Sequence, residues 1–144
     1  MGLKHTLLAL LAGLNCACFC APRAPIYEPY LLESGVQVQD IILPDPGPEV
    51  RPGDHIVLHY EIRLADGELV DSSFDRGQPL EFQLGSGVLP AGVEAGILGM
   101  RLFAQRRLEV PAAEAYGAEG LDGQVPPHAL LKFLFELMGL NPVP

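Results

Sequence analysis

Between His55 and Leu64 the chain alternates without a break. Ile56, Leu58, Tyr60, Ile62 and Leu64 fall on one side; Val57, His59, Glu61 and Arg63 fall on the other. Successive side chains of a strand point to opposite faces, so this period of two predicts a β-strand with one face in a core. The same pattern returns in shorter stretches. Val36 and Val38 alternate with Gln37 and Gln39, and Leu80, Phe82 and Leu84 with Glu81 and Gln83. Leu108 and Val110 sit opposite Arg107 and Glu109 before Pro111 stops the pairing. Leu131, Phe133, Phe135 and Leu137 share a face against Lys132, Leu134 and Glu136. One segment breaks the rhythm: Val93, Ile97 and Met100 stand four and three apart, the stripe of a short helix between Pro90 and Met100. Pro90 and Gly99 suit its ends, while Gly96 weakens its middle. Asp66-Gly67 marks a hairpin and Pro44-Asp45-Pro46-Gly47-Pro48 a loop. These elements predict an α+β fold: an antiparallel sheet of about five strands with one short helix on its apolar face.

The N-terminus follows a different logic. Lys4 and His5 precede the apolar run Thr6 to Leu14, then small residues and cysteines lead to Ala21. That order is a secretory signal over residues 1–21, an uncleaved anchor or a buried helix being the alternative. A lipoprotein signal matches less well, because Asn15 stands where an aliphatic residue belongs upstream of Cys18. All three cysteines, Cys16, Cys18 and Cys20, fall here, so cleavage leaves a domain without disulfides. Residues 22–34, with Pro22, Pro25 and Pro29, predict an extended linker, and residues 35–144 the folded domain.

Composition narrows the function. A net charge of −9 excludes a backbone-gripping nucleic-acid binder. Sixteen glycines and fourteen prolines in 144 residues suit short strands and many turns. There is no phosphate-binding glycine loop, no nucleophile elbow and no paired histidines for zinc. The polar residues in unusual places are Tyr60 on an apolar face, Asp71 after Val70, and Tyr116 in a loop. A buried tyrosine hydroxyl needs a partner and a buried aspartate needs a donor or cation. Arg76 is available to Asp71. The set serves equally as a satisfied polar corner of the core.

The order His59-Tyr60, Asp66-Gly67, Asp71-Ser72-Ser73, Asp75-Arg76, Phe82, Leu84-Gly85, Gly92, Met100, Ala115-Tyr116-Gly117 and Pro126-Pro127-His128 resembles the FKBP-type peptidyl-prolyl isomerases, the immunophilins that bind tacrolimus and rapamycin. The resemblance runs from about Gly35 to Leu140 at near-constant spacing. It implies a five- to six-stranded antiparallel half-barrel wrapped around one short helix. It implies catalytic roles for Tyr60, Asp71, Tyr116 and Phe133, and substrate contacts for Val70, Arg76, Phe82, Leu89, Val93 and Val125. It implies no cofactor and no metal. The expected partners are proline-containing unfolded or partly folded chains, with some affinity for tacrolimus and rapamycin. Nucleic acid is not expected, membrane only through an N-terminal lipid, and a monomer is the default.

The departures set expectations of their own. Val93 replaces the tryptophan that such domains place on the helix, in a chain with no Trp at all. Val70 and Leu80 replace two further aromatics. Each loss removes a stacking surface worth about 0.5–1.5 kcal/mol beyond area. Treating Ala91 as an insertion puts the N–H of Leu89, not Pro90, at the ligand-binding position. Phe103-Ala104 stands where the family turns on glycine, which predicts a turn of different shape. The leading reading is an extracytoplasmic, secreted or periplasmic, peptidyl-prolyl cis-trans isomerase assisting protein folding. The alternative is a non-catalytic peptide-binding or chaperone module using the same groove.

Overall fold

The computed structural model describes residues 27–44 and 46–141. The signal expected over residues 1–21 and the start of the expected linker lie outside the described residues. The elements run β1 (Tyr30–Leu31), β2 (Gln37–Ile42), β3 (His55–Leu64), β4 (Leu69–Ser72), α1 (Ser73–Arg76), β5 (Leu80–Gln83), α2 (Ala91–Ile97), β6 (Gln105–Val110), a 3-10 turn at Ala112–Glu114, and β7 (Leu131–Leu140). The strands form one antiparallel sheet in the order β1-β2-β6-β7-β3-β4, with β5 also on β3. Its two ends, β1 and β4, do not pair, so the sheet stays open around α2. The α+β half-barrel expected from the sequence is the fold observed, with seven strands instead of five or six.

The extra strands are short. Tyr30 pairs with Val38 and Leu31 with Gln37, so the end of the segment expected as linker is a sheet edge. Beyond the Asp66-Gly67 turn, β4 returns along β3 with Ile62 opposite Asp71. The single turn of α1, unexpected from periodicity, starts where the Ser72 hydroxyl accepts the Asp75 N–H and stops at Gly77, whose φ is 63°.

The inward faces of β3, β6 and β7 supply the core with Leu58, Leu108, Phe133 and Phe135, against which α2 lays Val93 and Ile97. Helix α2 is shorter than the Pro90–Met100 span expected, because Leu98 already leaves helical geometry at ψ 138°. Gly96 proves to be a packing requirement. A Cβ there would lie 2.4 Å from Leu108 Cδ1, so only glycine lets the helix approach the sheet this closely.

Arg106 points into this contact from β6, on the same side as Leu108, and is 3% exposed. Its Nε and Nη2 donate to Asp40 Oδ1 and Oδ2 at 2.7 and 3.2 Å. Its Nη1 donates to the carbonyls of Gly96 and Leu98 at 3.0 and 2.9 Å, satisfying the end of α2. One guanidinium thus ties β2, β6 and the helix together.

The turn before β6 corrects another expectation. Phe103 takes φ 66°, the left-handed region where glycine is ordinarily placed, and donates its N–H to Leu137 O at 2.9 Å. The missing glycine therefore appears as strain at Phe103, whose ring is 62% exposed, and not as a turn avoiding that backbone.

Two stability outcomes follow. Arg106→Ala strands the Asp40 carboxylate and two helix carbonyls, so urea unfolding should show a loss of about 3–5 kcal/mol. Phe103→Gly should leave stability unchanged or raise it by about 1 kcal/mol, because relief of left-handed strain offsets the entropy of glycine.

Candidate active site

The outer edge of β3 is shared by two strands. β5 covers His55 to Leu58 and β4 covers Glu61 to Arg63. Between them the backbone of Tyr60 would be left open. Ser73, fully buried on α1, fills the gap. Its hydroxyl accepts the Tyr60 N–H at 2.7 Å and donates to Tyr60 O at 3.2 Å, with His59 Nδ1 3.0 Å away. A side chain thus completes the ladder and holds Tyr60 where two strands part.

Tyr60 then donates its hydroxyl to Asp71 Oδ2 at 2.6 Å. Arg76 closes the triangle: Nη1 donates to Asp71 Oδ1, and Nη2 donates to the Tyr60 oxygen at 2.7 Å. Asp71 also accepts the Ser72 N–H at 2.8 Å. Burial pushes the Asp71 pKa up, but the donors Arg76, Tyr60 and Ser72 together outweigh it and hold the carboxyl below its ordinary range. Burial, then the neighbouring Asp71, raise the Tyr60 phenol. Aspartate is therefore ionised and tyrosine protonated across the neutral range.

These groups flank a cavity of about 240 Å³. Ile62, Val70, Leu80, Val88, Leu89 and Val125 give it apolar walls. That is below the roughly 300–1,000 Å³ of drug-sized sites and suits one side chain with its adjoining peptide groups. Tyr116 lines it from the loop after the 3-10 turn. Burial, and then the charge of Asp71, raise its phenol, and its hydroxyl has no hydrogen-bond partner among the described residues. The N–H of Leu89 likewise meets no acceptor among them. The far wall is a built loop: Leu121 and Val125 exchange backbone hydrogen bonds of 2.9 and 2.8 Å, and Gly120 N donates to Tyr116 O. Gly120 has φ 67°, and a Cβ on it would lie 2.3 Å from Val125 O.

The sequence profile described as FKBP-type peptidyl-prolyl cis-trans isomerase matches residues 47–138, which include this whole arrangement. The chain belongs to that family. FK506-binding protein 2 of Yarrowia lipolytica is 41% identical over 93 residues, covering 65% of each chain. The Arabidopsis thaliana peptidyl-prolyl cis-trans isomerase FKBP15-2 is 42% identical over 96 residues, covering 67% of this chain and 59% of its own. The match thus spans less than two thirds of either relative. The AtFKBP13 crystal structure superposes with a TM-score of 0.71 at 32% identity, covering 78% of this chain and 98% of that one.

Of the residues this FKBP domain's sequence singled out, Tyr60, Val70, Asp71, Leu89, Tyr116 and Val125 meet at the cavity. Arg76 stands behind the wall, clamping Tyr60 and Asp71. Phe82, Val93 and Phe133 are not among the lining residues. Phe82 lies one step deeper along β5 than Leu80, opposite Ile56, and is 5% exposed. Phe133 is sealed between Ile62 and Leu108 on neighbouring strands and stacks on Phe135 at 5.5 Å. Val93 is wholly covered by the core. The lining adds Ile62, Leu80, Val88, Leu121 and Gln124. Ile62 shares the face of Tyr60 and Leu80 that of Phe82, so period two carried a signal for both. Val88, Leu121 and Gln124 sit in loops where no period exists.

The triangle has a pH signature. A carboxyl held below its unfolded value of about 3.9 contributes stability above that pH and loses it as pH falls through the folded value. The stability gap between the native protein and Asp71→Asn should therefore be full at pH 6 and shrink steadily below about pH 4. Denaturant midpoints across that range check it; a gap that does not change with pH would remove Asp71 as its source.

Proposed function

We propose that the chain turns X–Pro peptide bonds between cis and trans in the cavity bounded by Tyr60, Leu89 and Tyr116, with no covalent intermediate. The observation that carries this reading is the Tyr116 hydroxyl, without a hydrogen-bond partner among the described residues, on a small apolar cavity beside an internally neutralised Tyr60–Asp71–Arg76 cluster.

Rotation about a peptide bond faces a barrier of about 18–20 kcal/mol, because the planar amide gives up its resonance. That resonance separates charge, and apolar walls solvate separated charge less well than water does. Ile62, Val70, Leu80 and Val125 thus disfavour the planar forms relative to the twisted one. The Tyr116 hydroxyl and Leu89 N–H hold the flanking carbonyls while the prolyl ring stays seated, so binding energy is realised in the twisted state. Fixed donors in a dry site need no reorganisation as rotation proceeds. A thousandfold acceleration requires only about 4 kcal/mol.

A second reading has an observation of its own. Val70 and Leu80 give the cavity aliphatic surfaces, and Val93 on α2 supplies no aromatic floor, at positions where the family resemblance leads one to expect aromatics, which favours slow turnover or simple retention of Pro-containing chains. Binding of FK506, named in the relatives, extends to this cavity with affinity lowered for the same reason. The signal-like residues 1–21 support an extracytoplasmic place, with exported chains as substrates and a lipid on one of Cys16, Cys18 and Cys20 as a variant; mass spectrometry of the mature N-terminus tests both.

Isomerisation of an apolar X–Pro peptide decides between catalysis and retention. The native protein should accelerate it, and Tyr116→Phe should lower kcat/KM by about three- to tenfold, the worth of one hydrogen bond. Peptide binding without acceleration at micromolar protein would sink the catalytic reading.

A further inference from the structure

A second cavity, of about 410 Å³, opens beside the first and shares Leu121, Gln124 and Val125 with it. The loop closed by the Leu121–Val125 hydrogen bonds is therefore a partition with a chamber on each side. The two chambers differ in chemistry. Leu64, Pro126 and Pro127 give the second one apolar contact, but Glu68, Glu119 and Asp122 line it too, and no lysine or arginine does.

Some carboxylates of the domain are ion-paired. Asp40 pairs with Arg106, Asp71 with Arg76 and Glu49 with Arg101. Glu68, Glu119 and Asp122 have no cation at ion-pair distance among the described residues. Neighbouring cations are turned to other work. Arg63 donates to Glu61 Oε1 at 2.5 Å and to Gly67 O at 2.9 Å, and Lys132 donates to Ala65 O at 3.3 Å.

We infer that the second cavity is a specificity subsite for the side chain of a lysine or arginine next to the isomerising proline. The inference rests on the isomerase reading above. A polypeptide advances about 3.3–3.6 Å per residue, so with the prolyl ring in the first chamber a residue one or two positions away crosses the partition. Lysine and arginine carry a long aliphatic stem that ends in a cation. The stem matches Leu64, Val125 and the two prolines; the cation matches the carboxylates. An acidic residue at that place meets three like charges, which excludes it.

The test compares X–Pro peptides that carry lysine, norleucine or glutamate on either side of the proline-containing pair. Norleucine keeps the stem and drops the charge. The native protein should show a kcat/KM about two- to fivefold higher for lysine than for norleucine, as expected of exposed ion pairs, and the lowest value for glutamate. Added salt should shrink the lysine preference. In the triple variant E68Q/E119Q/D122N lysine and norleucine should become equal, with turnover of the norleucine peptide within about twofold of native. Two results overturn the subsite: no lysine preference in a native protein that turns over the norleucine peptide, or a preference that survives in the triple variant. If no peptide is turned over, the isomerase reading fails separately. Fluorescence anisotropy with the same labelled peptides then decides the subsite on the same criteria.

Discussion

The contact between α2 and the sheet rests on Arg106. A seven-residue helix is too short to hold its shape alone, so its geometry comes from what it touches. Gly96 lets it settle against Leu108, and that closeness buries the helix end, whose carbonyls would go unbonded without a donor. The guanidinium supplies donors to two of them and is balanced by Asp40 from β2. The arrangement is all or nothing. An arginine this deep without its carboxylate, or a helix end without the arginine, leaves charge or dipole buried and unmet. Because Leu89 and Val88 lead directly into α2, one wall of the cavity inherits its position from this clamp.

The opposite wall obeys a second constraint, the division of the β3 edge. Where β5 ends and β4 has not begun, the ladder is completed by Ser73, and α1 exists to bring it there. The same turn delivers Arg76 to Asp71 and Tyr60. Satisfying backbone groups and assembling the polar cluster are thus one event. Asp71 faces the cavity with its carboxylate already bonded to Tyr60, Arg76 and the Ser72 N–H, so its charge is met locally instead of by the ligand.

Period-two alternation made the strands legible because each of the long ones buries one face. It identified the side of β3 that carries Tyr60 and Ile62, and the register of the domain made Asp71 and Arg76 plausible partners. It could not show Ser73, since a serine answering a gap in a ladder has no sequence period. It misjudged Gly96, because helix propensity counts entropy and says nothing of a leucine 2.4 Å from a missing Cβ. Reading by resemblance placed Phe82, Val93 and Phe133 at the groove; all three are buried in the core and are not among the residues lining the cavity. The chemical class of each position was legible; its depth was not.

That difference in depth bears on what the cavity can do. Val70, Leu80, Val88, Leu89 and Val125 give the apolar boundary branched aliphatic groups that fit by shape, and the flat faces on it are those of Tyr60 and Tyr116. Dispersion from such walls is still substantial when contact is close, but it falls quickly with a gap of half an ångström. The cavity's width is therefore set more by the loops at residues 85–89 and 116–128 than by a single aromatic floor. Those loops are also where Leu89, Tyr116 and Gln124 reside. A site whose width and whose donors come from the same two loops couples fit to chemistry: in the proposed reaction, a chain that does not close the gap would also fail to reach the Tyr116 hydroxyl and the Leu89 N–H.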